Sequence, residues 1–231
     1  MRDFQLAIAL ITQPRKAFAE LDERPRFWFP LLLSMGCTLA LLLWYYAVVD
    51  IDWLIDKSLS SNARAAQMTE EQRAMVASRM SRNVLMWSSV GVGVLAVLGL
   101  RLVEATYLML AGKIVNLQRS FKHWFSLGLW TSLASLLTVI PSVLLLALSD
   151  TRQMDASVMQ PLSLNELFFH KAMGAPGYTL LTSLSILQPV AWLLAVIAVQ
   201  TWSRRSWLFS SAFVLLPVIV CYGAWAAFTL T

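Results

Sequence analysis

The chain has 231 residues, of which 58% are hydrophobic and only 13% charged, and it carries a net charge of +5. An average soluble domain is roughly a quarter charged and under half apolar, so this composition, with a mean hydropathy of +0.64, belongs to a protein whose solvent is lipid. The basic balance does not indicate nucleic acid, because no basic run interleaves with aromatic residues; Lys and Arg are expected instead at the cytoplasmic ends of membrane helices. Cys37 and Cys221 sit in apolar stretches and read as small hydrophobes. His123 and His170 stand far apart with no ligand pattern around them, so no metal or cofactor is expected.

The first 27 residues form an amphipathic N-terminal segment. Phe4, Leu6, Ile8, Leu10 and Ile11 are apolar, and Pro14 opens a second piece with Phe18 and Leu21 on one face. Such a segment either lies on the inner leaflet or packs against a helix bundle. The apolar run Leu6–Ile11 is too short for a cleavable signal, so the first span is expected to act as signal anchor.

Residues 28–231 read as a membrane domain of all-α class with five transmembrane helices, at about 28–49, 84–104, 124–148, 180–201 and 207–228. The first opens near Pro30 and closes on Trp44, Tyr45 and Tyr46, an aromatic boundary. The second is expected to leave the hydrocarbon near Arg101. Pro141, Pro189 and Pro217 predict kinks in the last three.

The connections set the orientation. Arg2, Arg15, Lys16, Arg24 and Arg26 precede the first span, Lys113, Arg119 and Lys122 follow the second, and Arg204 and Arg205 follow the fourth. On the opposite side, Lys57, Arg64, Arg73, Arg79 and Arg82 are spread out and offset by acids. The positive-inside rule therefore predicts a cytoplasmic N-terminus and an external C-terminus. The external connections 50–83 and 149–179 each carry an amphipathic helix signal. Thr69 and Gln72 form a capping box before an apolar stripe of Met75, Val76 and Met80, in a helix that can run straight into the second span. Ser163 and Glu166 form another before Leu164, Leu167 and Phe168, with Gly174 and Pro176 as the stop. These six apolar residues are a candidate partner-contact surface; the alternative is a rim that seals the end of the bundle.

Within the spans, the ionisable residues are Arg101 and Glu104, three apart on one helix face and able to pair. They form either a polar site facing the bundle interior or a pair that snorkels to the inner interface. Gln188 is the third candidate, able to bond across helices. Small residues four apart, such as Ser89 and Gly93, permit close helix contact and leave a homo-oligomer open. No HExxH, P-loop, internal repeat or filter-like loop is present, so no enzymatic activity is expected.

The opening Ile11-Thr-Gln-Pro-Arg-Lys-Ala-Phe-Ala-Glu-Leu21, then Arg24-Pro-Arg-Phe-Trp-Phe-Pro-Leu-Leu-Leu33, resembles bacterial members of the Yip domain family. Gly112-Lys-Ile-Val, Ser120-Phe-Lys-His-Trp124 and the Ile140-Pro141 pair add to the likeness. These are five-span membrane proteins related to the Rab-GTPase-interacting Yip proteins of the eukaryotic secretory pathway. The resemblance implies five helices, a cytoplasmic N-terminus and no catalytic residues. The chain lacks the long N-terminal region and the acidic-Leu-Tyr-Gly-Pro motif of the eukaryotic members, which argues against GTPase interaction. Some bacterial relatives accompany MacB-type ABC exporters with a periplasmic adaptor. The expected role is a non-catalytic accessory subunit of a bacterial inner-membrane complex, with an ABC permease, its ATPase and the adaptor as candidate partners. The alternatives are a small transporter or channel around Arg101, Glu104 and Gln188, and a membrane-trafficking or membrane-shaping factor.

Overall fold

The computed structural model describes residues 2–62 and 65–230; Arg64, counted above among the external cations, lies outside them. Among the described residues the chain is helical with no strand, and a lone antiparallel bridge joins Ser163 to Ser185. Four helices are long and apolar enough to cross a bilayer: Trp28–Val48, Arg82–Ile114, Phe121–Leu148 and Trp207–Thr229. The protein is therefore an all-α membrane protein.

The N-terminal segment forms α1 (Asp3–Thr12) and α2 (Pro14–Glu23). They divide at Gln13, because Pro14 has no N–H to continue the first ladder but suits the first turn of the second. The first membrane helix is α3 (Trp28–Val48), followed by α4 (Ile51–Ser60), whose start is capped by the Asp50 carboxylate accepting from the Trp53 N–H at 3.2 Å.

Both bonds of the predicted capping box form at the start of α5 (Glu70–Arg79). The helix does not run on into the second span. Met80 is extended (φ −86°, ψ 112°), and α6 (Arg82–Ile114) starts afresh. The break places the Arg82 guanidinium on the carbonyls of Tyr46 and Val49, acceptors that the end of α3 leaves without helical partners. That gain offsets the helical turn given up.

Helix α6 has 33 residues, which at about 1.5 Å each is roughly 50 Å. The helix continues past Arg101, as expected. Val103, Leu110 and Ile114, all beyond it, are exposed.

The third span comprises α7 (Phe121–Ser132), a 3₁₀ stretch over Leu133–Thr138, and α8 (Val139–Leu148). A 3₁₀ run of six residues is longer than usual. It precedes Pro141, whose missing N–H would orphan a carbonyl in a regular α-helix. The Ser142 hydroxyl donates to the Thr138 carbonyl at 2.9 Å.

The segment predicted as one helix over 180–201 is divided. Helix α9 (Tyr178–Ser183) stops at Leu184, which is extended, and α10 (Gln188–Ser203) begins with Pro189 in its first turn. The backbone freed between them pairs elsewhere: the Leu164 N–H donates to the Leu184 carbonyl at 2.7 Å and the Ile186 N–H to the Leu162 carbonyl at 3.0 Å. Backbone that leaves the helical ladder at membrane depth needs such partners. The last helix, α11 (Trp207–Leu230), continues through Pro217.

By packing, the chain divides into two units. One comprises residues up to Gly36 with Leu95–Leu137 and Leu187–Trp225; the other comprises Cys37–Val94, Thr138–Ile186 and the segment from Ala226. The core of the first joins Leu6, Phe18 and Leu21 to Trp124, Trp130 and Trp202. In the second, Tyr45, Tyr46 and Val49 pack with Leu54, Leu146 and Met154.

Candidate functional site

Arg101 and Glu104 pair on α6, with guanidinium and carboxylate 2.5 Å apart and each side chain roughly a third exposed. The pair lies against α7 at Gly128, where a Cβ would stand 3.1 Å from Glu104 Oε2. Absence of a side chain at Gly128 thus lets the α7 backbone approach the ion pair. The charges face protein on that side and neutralise each other, which is how charge is accommodated in a low-dielectric surround.

Gln188 does not join them. Its amide donates to the Tyr222 hydroxyl at 3.2 Å, linking α10 to α11. Counted along their helices, Gly128 lies seven residues, about 10 Å, from the start of α7, whereas Gln188 lies fifteen residues, about 22 Å, from the basic end of α10. Gly128 was missing from the sequence-derived site because nothing in its neighbourhood marks it as the floor under an ion pair on another helix. Among the described residues no group of His, Cys, Asp and Glu could hold a metal ion.

The basic end of the first unit is held by polar pins. Asp22 accepts from Arg119 at 2.5 and 2.8 Å in a two-toothed pair, and Arg119 also reaches the Trp202 carbonyl. His123 Nε2 donates to the Asp22 carbonyl at 3.0 Å, and its Nδ1 meets the Ser120 hydroxyl. Trp130 Nε1 and Ser126 Oγ both donate to the Arg26 carbonyl at 2.6 Å, and Trp202 Nε1 donates to the Phe18 carbonyl at 2.8 Å. Asp22 and Arg119 are 97 positions apart, so no local pattern could have paired them.

The six candidate contact residues of the connections 50–83 and 149–179 differ in exposure. On α5 no residue is buried, Met75 is exposed, and Val76 and Met80 are half-buried. In the second connection, Leu164 is half-buried while Leu167 and Phe168 are exposed, as is Phe169, which the sequence reading did not include. The predicted helix there is one π turn, Asn165–Phe169, and it ends at His170 in the left-handed region (φ 48°), ahead of Gly174 and Pro176. Only half of the capping box forms. Ser163 Oγ accepts from the Glu166 N–H at 3.3 Å, but the Glu166 carboxylate takes a bond from Asn165 Nδ2.

Asn165 is the residue that shapes this turn. Its buried amide accepts from the Lys171 N–H at 3.0 Å and donates to the Lys171 carbonyl at 3.2 Å, doing the work of a backbone pair. Gly174 (φ 86°) then passes so close to the Ser61 carbonyl that no Cβ fits. Nearer the start of the connection, Asp155 pairs with Lys57 at 3.3 Å and caps a 3₁₀ turn at Ser157. Burial raises the Asp155 carboxyl, but the Ser157 hydrogen bonds and the Lys57 ammonium outweigh it and hold the group below its ordinary value.

The layout of polar pins, proline-opened helices and apolar spans extends along nearly the whole chain, and so does the family match. No curated protein and no solved structure matches the chain. The model of the Yip1 domain family matches residues 8–228. The chain therefore belongs to the Yip1 domain family, as the proline-spaced N-terminal motif and the Gly112 and Ser120 segments implied.

Proposed function

We propose that this protein is a non-catalytic accessory or scaffold subunit of a bacterial inner-membrane complex, with a MacB-type ABC exporter and its periplasmic adaptor as the leading partners. The observation that carries this reading is the turn Asn165–Phe169. It holds Phe168 at 66% exposure outside the four long membrane helices, on a turn pinned by Asn165. Exposed apolar groups on a rigid frame are what a protein-contact surface requires. The chain's chemistry also fits a scaffold, since the intramembrane ion pair is internally satisfied.

The topology that goes with this reading has five crossings, a cytoplasmic N-terminus and an external C-terminus. The fourth crossing of this reading falls on α9 and α10, of 6 and 16 residues.

The test is a photo-crosslinking amino acid at Phe168 in native membranes, followed by mildly solubilised affinity purification and mass spectrometry. Crosslinks to an ABC permease or a periplasmic adaptor, lost when the probe moves to exposed Val92, support the reading. A chain recovered alone, with no crosslinked protein at Phe168, refutes it.

A further inference from the structure

Two cations at the basic end of the first unit are paired with carboxylates. Arg26 pairs with Asp3 and Glu20, and Arg119 with Asp22. Arg15 and Lys16 have no acidic partner among the described residues, and they are the cations that line a cleft. Both line a cleft of about 320 Å³, together with Gln13, Pro14, Ile197 of α10 and Trp207 of α11. Arg15 is held in place by one bond to Gln200 Oε1 at 3.1 Å and by the Trp207 ring, 6.0 Å from its guanidinium carbon. The remaining N–H donors of that planar fork suit a phosphate.

The other wall is apolar and continues into lipid-facing surface. Trp207 opens a candidate span, so the cleft stands at a membrane boundary, the level tryptophan favours. Leu208, next in the chain, is 82% exposed, and Leu193, one turn from Ile197 on the same face of α10, is exposed as well. A ligand that fills this site needs a negative headgroup and hydrocarbon tails.

We propose that the cleft binds the phosphate headgroup of an anionic phospholipid, with Arg15 and Lys16 on the phosphate, Trp207 beside the glycerol region, and the acyl chains along Leu193 and Leu208. Basic pockets at the cytoplasmic ends of membrane helices are chemically suited to such headgroups. The inference goes beyond the scaffold role and stands without it, since no partner protein takes part.

The experiment measures thermal stability and lipid affinity of the full chain in mild detergent, with phosphatidylglycerol, phosphatidylcholine or inorganic phosphate added. Phosphatidylglycerol is expected to raise the melting temperature and phosphatidylcholine to leave it unchanged. In the double variant Arg15→Gln, Lys16→Gln, affinity for phosphatidylglycerol should fall about 30-fold. The reversed-cation variant Arg15→Lys, Lys16→Arg should keep most of it, and it reports on the site even if the neutral variant folds poorly. Equal stabilisation by phosphatidylcholine would overturn the proposal, and so would an unchanged response in the folded double variant. Inorganic phosphate alone reproducing the full shift would overturn the lipid assignment in favour of a free-phosphate site.

Discussion

Two regions of this protein carry the same kind of sequence signal and use it differently. In the N-terminal hairpin, the apolar face of α2 is buried: Phe18 is 0% exposed, and Ala17 and Leu21 are enclosed with it. In the connections 50–83 and 149–179, α5 buries nothing and the turn at 165–169 leaves Leu167, Phe168 and Phe169 exposed. Amphipathic periodicity states that a face must be covered, but not by what. Around α2 the cover is supplied by this chain, through Trp124, Trp202 and Val199, and polar bonds at Asp22 and Arg26 fix the register. In the connections 50–83 and 149–179 the corresponding apolar groups Met75, Leu167, Phe168 and Phe169 stay exposed.

The comparison breaks most sharply at Phe18. Phe18→Ala should cost about 3–5 kcal/mol, the range for an aromatic truncated in a packed core. The readout is a large drop in melting temperature in detergent and rapid proteolysis within the first 27 residues. A variant as stable as the parent would mean that the α2 face is not covered by the protein. Asp22→Asn is the next step down. It leaves the half-buried Arg119 without a charged partner and should cost about 1–2 kcal/mol, between a surface pair and a buried charge-assisted bond. Rescue by Arg119→Gln in the double variant, measured as a thermodynamic cycle, would show that the pair itself carries the effect.

Much of this was legible in the sequence, for local reasons. Thr69 and Gln72 are three apart and cap as expected; Pro14 and Phe18 mark the start and inner face of α2; Arg101 and Glu104 meet because helical geometry brings residues three apart together. The misreadings share a different cause. A helix was expected to continue through Met80, but Arg82 found carbonyls 33 and 36 positions away. One helix was expected over 180–201, but the strand-like pairing of Leu184 and Ile186 with residues 162–164 divides it. Gly128 entered the ion-pair site from another helix, and Gln188 left it for Tyr222. Each is a long-range contact that no local window contains.

The connection that holds Asp155 is expected to respond to acid. Because the folded state holds the Asp155 carboxyl below its ordinary value, the Asp155–Lys57 contact is fully present above about pH 4, the unfolded value, and is lost as pH falls through the folded one. Protection of the Ser157 N–H from hydrogen exchange, taken relative to its intrinsic rate at each pH, should therefore fall at acid pH, and Asp155→Asn should abolish that pH step. If that protection is as pH-sensitive in the variant as in the parent, another group governs the loop.

The smallest effect on stability is expected at Met75, and it distinguishes the two regions best. Met75 is 59% exposed on a helix with no buried residue, so Met75→Ser should change stability by no more than about 0.5 kcal/mol. If this surface contacts a partner, the same variant should weaken co-purification of that partner several-fold, because an exposed apolar side chain gains its energy only when covered. Combining Met75→Ser with Phe168→Ser should deepen the loss of association while the melting temperature stays near that of the parent. Lost stability in the single variant would instead place Met75 in a seal of the protein's own, and the contrast with Phe18 would become one of degree.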